Sequence, residues 1–530
     1  MSTILLKVLF IHPPVRLRGG PEDIPFGLGM LASIAEQEGH EVAFLDLNAN
    51  RVPLQTVGEE ISLDKYDVIA VGGLSSQFKD ICRIIPVCRQ IHPNAQILAG
   101  GGFATYMPDK ILNILPEIDI VAIGEGEDIF REILQVGPKG DRSKIKGIAY
   151  KDDSGNVVFT EPRALINDMD TLPYPAYHLL DLEKYFEYSQ IVHSQESSNA
   201  KRRIDIITQR GCPRQCTFCT HNGMNRWDQE KFVGKEKLKV MDEEYGFQAV
   251  SRLNSPEYVV KHMKFLHDEY GIDYCYILDE NLTSDKRYLH KLCEKMIEEG
   301  IPEFMHWGTA GDSASVSDEL VHHMKEAGCT FITFGGESGS DKVLKYDIGK
   351  GCTAQMNQNA VDIMKRQKME PIMTFMVGNP NENIDDVLET TEFFIKNNIV
   401  CRPFICTPYP GTKLFMDYEN MILGQFDDRL NQIKDLPENS ISSEIIKEWK
   451  LQALKKFLVA LDDADVLSAH VSQVFDHADL LAIQQLMLDK DVSKLTKLAH
   501  LRGWEHDEKW DHYCPVCTAQ KRLNQLIQVN

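Results

Sequence analysis

From the start of the chain to about Gly137, short apolar runs alternate with stretches whose apolar positions recur at helical spacing. The runs are Lys7–Ile11, Val42–Leu45, Val68–Val71, Ile97–Leu98 and Ile118–Ile123, with helical patterns near Gly27–Glu38 and Lys79–Gln90. Strands separated by crossover-length helices predict a parallel, doubly wound α/β sheet, with ligands at the loops leaving the strands' carboxyl ends. Between Gly137 and Ala200 the pattern changes. Gly147–Lys151 and Val157–Thr160 flank Asp152-Asp153-Ser154-Gly155-Asn156 and predict a hairpin. Leu172-Pro173-Tyr174-Pro175 then reads as an extended linker, because each proline disfavours helix in the residue before it.

From Arg203 to about Asp417 the alternation resumes with Ile204–Thr208, Tyr274–Leu278, Met305–Thr309, Phe331–Gly335, Ile372–Val377 and Phe404–Thr407. Six repeats predict a partial (β/α)6 barrel with its reactive groups at the carboxyl mouth. Asn254-Ser255-Pro256-Glu257 and Ser317-Asp318-Glu319 are helix starts, the first with proline at the first helical position. Beyond Ile422, Ile445–Leu461 and Leu480–Leu488 carry helical spacing. The expected domains are therefore 1–137, a hairpin and linker over 138–200, a barrel over 201–422 and a helical unit over 423–530.

Hydrophobic residues at 43% and charged residues at 26% describe an ordinary soluble protein. A net charge of −22 with no basic block argues against a nucleic-acid partner. Thirteen cysteines scattered through so long a chain fit a reducing cytoplasm better than a disulfide framework. The apolar opening Ile4 to Ile11 runs into His12-Pro13-Pro14 and reads as a first strand. No apolar run approaches the roughly 18 to 20 residues of a membrane span, which leaves peripheral membrane contact open.

The run Ile204–Thr208 leads into Gly211-Cys212-Pro213-Arg214-Gln215-Cys216-Thr217-Phe218-Cys219, a C-x3-C-x2-C spacing on one loop. Three thiolates so placed can ligate three irons of a [4Fe–4S] cluster. The fourth iron can take the amino and carboxylate groups of S-adenosylmethionine and pass an electron into its sulfonium, releasing methionine and a 5′-deoxyadenosyl radical. The competing readings are chance spacing and zinc, but zinc sites pair C-x2-C with a second such pair or two histidines, and none lies near Cys212. The loop sits at a strand end, where a βα loop can present it. In this setting it resembles the radical S-adenosylmethionine enzymes.

Three loops at the strand ends of the first unit are rich in glycine: Gly72-Gly73-Leu74-Ser75-Ser76-Gln77, Ala99-Gly100-Gly101-Gly102-Phe103 and Gly124-Glu125-Gly126-Glu127. Each alone reads as a tight turn. Together, ahead of the cysteine loop, they resemble the Rossmann-like N-terminal domain of the cobalamin-dependent radical enzymes, a resemblance running from about Lys7 to about Ile422. It implies cobalamin contacts at Ser75, Ser76, Gln77, Gly100, Gly101, Gly102, Gly124, Glu125, Gly126 and Glu127. The D-x-H-x-x-G motif that supplies a histidine to cobalt elsewhere is absent, which implies base-off cobalamin without that ligand, or a lost cofactor. His12, at the end of the first strand, is not assigned to cobalt.

At the barrel mouth the same resemblance implies S-adenosylmethionine contacts at Phe218, Asp279, Asn281, Gly336, Glu337, Ser338 and Gly378. Asp279-Glu280-Asn281 reads equally as a helix cap. Thr407-Pro408-Tyr409-Pro410-Gly411-Thr412 is similar to the family's sixth-strand ending, and Thr309-Ala310-Gly311-Asp312 stands where relatives often carry an arginine. His221 to Gln248, with Trp227 and Phe232, reads as a surface excursion or a substrate-shaping insertion. Cys514-Pro515-Val516-Cys517 after His506 and His512 offers at most part of a metal site.

The function expected is radical functionalisation of an unactivated carbon, foremost cobalamin-dependent methyl transfer to a small-molecule or lipid substrate. The alternatives are ring closure, as in the anaerobic tetrapyrrole cyclases and archaeal lipid ring synthases, and a non-catalytic cobalamin sensor, which would not need the cysteine loop. A tRNA methylthiotransferase would carry a second cluster's cysteines near its start, where Cys82 and Cys88 have the wrong spacing. The chemistry implies an electron donor such as ferredoxin or flavodoxin.

Overall fold

The computed structural model describes residues 5–15, 21, 23–188, 194–222, 251–397, 399 and 403–417. The expected C-terminal helices, the Cys514/Cys517 pair and all of the expected His221 to Gln248 excursion beyond Asn222 lie outside the described residues.

The first sheet contains β1 (Lys7–His12), β2 (Glu41–Asp46), β3 (Val68–Gly72), β4 (Gln96–Gly100), β5 (Ile120–Ala122), β6 (Ile148–Lys151) and β7 (Val157–Phe159), in the order β2-β1-β3-β4-β5-β6-β7. β1 to β5 pair in parallel, and the order reverses between β1 and β3. Such a switch point opens a crevice at the carboxyl edge of the sheet. Its strands are apolar on both faces because helices cover both. Leu9, Ile11, Ile69, Val71 and Ile97 pack into one core, and their neighbours Val8, Phe10, Val68, Ala70 and Leu98 into the other.

The expected hairpin forms, and its strand β6 pairs antiparallel with β5. The first sheet thus continues past Gly137, the expected boundary, because without β6 the strand β5 would be an edge with unpaired backbone groups. The linker is packed rather than loose. Ala176 donates its N–H to Gly29 O (2.9 Å), and a Cβ on Gly29 would meet Pro175 at 2.9 Å. Tyr174 stacks on His262 at 4.0 Å between centroids, and Tyr177 bonds its Nε2 at 3.0 Å. Burial pushes the His262 imidazole down to about 3.

The second sheet contains β8 (Arg203–Ile206), β11 (Tyr274–Ile277), β12 (His306–Gly311), β13 (Cys329–Glu337), β14 (Ile372–Val377) and β15 (Phe404–Ile405), all parallel and in chain order. That is the six-stranded partial barrel. Between β8 and β11, β9 (Gln209–Arg210), just before the cysteine loop, pairs antiparallel with β10 (Arg252–Leu253). Both helix starts hold. Ser255 Oγ accepts from Tyr258 N at 3.1 Å, and Ser317 Oγ from Leu320 N at 3.3 Å. No described helix is long and apolar enough to cross a membrane.

Candidate cluster and cofactor site

Cys212, Cys216 and Cys219 are in no disulfide and share one loop at the carboxyl end of β8. Gly211 turns the chain into it at φ +89°, a conformation that favours glycine. Thr217 N donates to Ile348 O (2.9 Å), Leu414 N donates to Thr217 O (2.8 Å), and Cys219 N donates to Cys216 O (3.1 Å). Cys216, Phe218 and Cys219 pack against Val343, Leu344, Ile348 and Met376. Burial raises the Cys216 thiol, and the neighbouring Cys219 and Cys212 add to this while Lys350 opposes it. Thiols so crowded hold their protons until a cation replaces them.

No three His, Cys, Asp or Glu side chains among the described residues gather as a single-ion site. Ligands of one zinc would all lie about 2.3 Å from it. The ligands of a four-iron cube stand farther apart, and three soft thiols on one loop match that donor set. Asn281 donates from Nδ2 towards Cys212 Sγ at 3.8 Å, while its Oδ1 accepts from Thr283 Oγ1 at 3.1 Å, which orients the amide. Arg214 of the loop is paired with buried Asp312, which also accepts from Cys352 Sγ at 3.2 Å. Asp312 therefore anchors the cysteine loop from the position where relatives often place an arginine.

The carboxylates at the barrel mouth are more engaged than the sequence suggested. Asp279 is buried and accepts from Thr208 N (2.6 Å), Thr208 Oγ1 (2.5 Å) and Gln209 N (3.0 Å), so it pins the strand exit rather than presenting itself to a ligand. Burial pushes its carboxyl up to about 7 although these hydrogen bonds oppose it. Glu337 sits at φ +61° and pairs with Lys350 Nζ at 2.8 Å. Lys350 also donates to Gly335 O, and its ammonium is held above the usual lysine range: burial alone would lower it, but Glu337 outweighs that. A Cβ on Gly336 would meet the Phe375 ring at 2.8 Å. The Ser338 hydroxyl faces Thr390 at 3.0 Å, inside the fold, and Gly378 N donates to Glu382. Lys350 had no local signal; only the return of the chain beside Gly335 reveals it.

On the first sheet the glycine turns do make bare backbone. Gly101 has φ +86°, and a Cβ there would lie 2.6 Å from Gly73 O, so the turns after β3 and β4 touch. Gly100 ends β4, Gly102 opens a short helix, and Gly124 N donates to Thr105 Oγ1 at 3.3 Å. Ser75 and Ser76 share the turn 75–77 after β3. Three residues expected at cobalamin also make contacts within the fold. Gln77 is buried, accepts from Leu74 N at 2.7 Å and donates to Pro13 O at 2.6 Å, clasping the switch point. Glu125 forks onto Arg252 at 2.8 and 3.0 Å and meets Arg210 at 3.1 Å. Glu127 pairs with Arg210, one contact being 3.2 Å. Burial alone would raise Glu125, but Arg252 and Arg210 outweigh it and hold the carboxyl below its usual range. Gly126, between them, begins the helix Gly126–Val136. His12 Nδ1 meets Asp46 Oδ1 at 3.1 Å.

Comparisons with known proteins find both domains. Residues 206–394 match the model of the radical SAM superfamily, and residues 17–134 match that of the B12 binding domain. A Pyrococcus horikoshii protein described as an uncharacterized methyltransferase is 29% identical over 78% of this chain and 83% of its own. The anaerobic magnesium-protoporphyrin IX monomethyl ester cyclase of Rubrivivax gelatinosus is 24% identical over 78% of this chain and 70% of its own. The radical S-adenosylmethionine methyltransferase TsrM of Kitasatospora setae, solved with cobalamin and a [4Fe-4S] cluster, shares the fold at TM-score 0.62 and 16% identity, over 79% of this chain and 76% of that one. With a B12-binding sheet joined to a radical S-adenosylmethionine barrel that carries its cysteine loop, the chain belongs to the cobalamin-dependent radical S-adenosylmethionine enzymes.

Proposed function

We propose that this enzyme transfers a methyl group to an unactivated carbon of a small molecule. The observation carrying the reading is that the cysteine loop at the mouth of the second sheet is bonded directly to loops at the carboxyl edge of the first, through Tyr106 and Arg210. When bound, the cluster would supply the electron that cleaves S-adenosylmethionine, and cobalamin would carry the methyl group.

Cys212, Cys216 and Cys219 would hold the cluster, with the Asn281 amide steadying Cys212. The Gly335–Gly336 backbone and the Glu337–Lys350 pair would form the wall where S-adenosylmethionine lies. Gly124, where a Cβ would meet nothing within 4 Å, leaves room for a flat ligand to approach the backbone of the first sheet. Buried Phe375 and Met376 and the half-buried Phe218 help exclude water. A reducing cytoplasm and a ferredoxin or flavodoxin donor suit this chemistry, and a lipid substrate would need only peripheral membrane contact. The units behind it would be the expected domains, with the hairpin counted in the first.

The test is anaerobic reconstitution followed by mass spectrometry of metabolites from cells with and without the gene. A gain of one methyl group on a substrate, lost with Cys216→Ala, supports the proposal. A loss of two hydrogens instead would assign ring closure, the activity named for the Rubrivivax relative.

A further inference from the structure

The nine-residue segment from Gly211 to Cys219 is gripped by the first unit at both ends. At its entrance, Arg210 is paired with Glu127 and Glu125, which flank Gly126 on the turn after β5. At its exit, the carbonyl of Thr220 accepts from Tyr106 Oη at 2.5 Å. Tyr106 is buried and directly follows the short helix Gly102–Thr105, which leaves the glycine turn after β4. Its ring also lies against Gly411 of the loop after β15, where a Cβ would approach the ring to 2.2 Å. One aromatic residue therefore touches the first sheet, the cluster segment and the barrel's last loop together.

Neither grip belongs to local folding. Residues 83 apart join at Arg210 and Glu127, and residues 114 apart join at Tyr106 and Thr220. The contacts are also dissimilar: one is a forked charge pair with side chains only 20% and 5% exposed, and the other a neutral hydroxyl to a backbone oxygen. A forked pair fixes both distance and orientation, and a buried hydroxyl bond fixes a backbone point. Held at entrance and exit, the segment cannot move relative to the glycine turns without breaking one of them.

We propose that Tyr106 and Glu127 are positioning residues that set the separation and orientation of the cluster relative to the corrin. The proposal rests on the cofactor reading above. Charge on the Glu127 side and the hydroxyl on the Tyr106 side act through Arg210 and Thr220, and neither residue touches a reacting atom.

The experiment uses the full-length enzyme, reconstituted anaerobically with cluster and cobalamin and poised so that reduced cluster and cob(II)alamin are both paramagnetic. Iron and cobalt are counted first, and the dipolar coupling between the two spins is then read by electron paramagnetic resonance. The wild type should give one well-defined coupling. Tyr106→Phe keeps the ring on Gly411 and loses the hydroxyl, and Glu127→Gln keeps the shape and loses the charge. Each should weaken or broaden the coupling at unchanged iron and cobalt, and the double variant should do so more. Glu183→Gln, at the exposed Arg202 pair, should leave it unchanged. Unchanged coupling in both variants overturns the proposal. So does loss of both metals in step with lowered melting temperature, which assigns the contacts to folding alone. A wild type lacking iron or cobalt counts against the cofactor reading instead.

Discussion

The two walls of the cluster loop hold it with different chemistry. The wall from the first sheet uses charge: Glu125 and Glu127 meet Arg210 and Arg252 in a buried group. At the strand exit of the barrel the donors are neutral, with Thr208 and Gln209 donating to Asp279 and Asn281 donating to Cys212, while the Arg214–Asp312 and Glu337–Lys350 pairs carry the charge elsewhere on that wall. The consequence shows in the carboxylates. Glu125 is held below its usual range by the arginines, whereas Asp279, which takes its hydrogen bonds from Thr208 and Gln209, is pushed up to about 7 by burial. A buried acid stays charged only where a cation arrives with it. Charge therefore marks the seam between units and, through Arg214 and Asp312, one anchor on the barrel side, while neutral donors surround Asp279 at the strand exit.

Breaking the charged wall should have the largest effect. Arg210→Met leaves Glu127 buried without its partner and should cost about 3–5 kcal/mol, read by anaerobic denaturant unfolding. Equal stability of variant and wild type would mean the seam is solvated. Next is the backbone contact beside that wall. Gly101→Ala forces a side chain into φ +86° and within 2.6 Å of Gly73 O. The strained conformation alone costs about 1–3 kcal/mol, and copurifying cobalamin should fall with it.

The barrel wall is tested by pH. The folded Asp279 pKa is raised, so its stabilising contribution is full below the unfolded value of about 3.9 and is lost as pH rises through about 7. Between those limits wild type should lose about 1 kcal/mol per pH unit from this group, a slope absent in Asp279→Asn. Glu125 runs the other way: its contribution is present above its unfolded pKa and disappears as pH falls through the depressed folded value. Melting curves at several pH values separate the two. The smallest effect expected is at Asn281→Ala. Removing the amide from Cys212 should shift the cluster's reduction potential downward with iron content unchanged, measured by redox titration.

The same contrast explains what could be read from sequence. Strand and helix order was legible because apolar period and crossover length are local, and the cysteine loop because its three donors are neighbours in the chain. The hairpin was visible but not its pairing to β5, which depends on an edge left open far upstream. Gly124-Glu125-Gly126-Glu127 resembled a cofactor turn, yet its acids answer arginines 85 and 127 residues away. Lys350 beside Glu337 and Arg214 beside Asp312 escaped for the same reason. Partners of buried polar groups are chosen by how the sheets pack, and no local spacing records that.

The central claim is that the cysteine loop supports reductive cleavage of S-adenosylmethionine. The most direct measurement is 5′-deoxyadenosine, quantified by chromatography after the reconstituted enzyme is reduced with dithionite in the presence of S-adenosylmethionine. The result expected is 5′-deoxyadenosine and methionine from the wild type and neither from Cys216→Ala. Intact S-adenosylmethionine in a wild-type sample shown to hold its full complement of iron would contradict it.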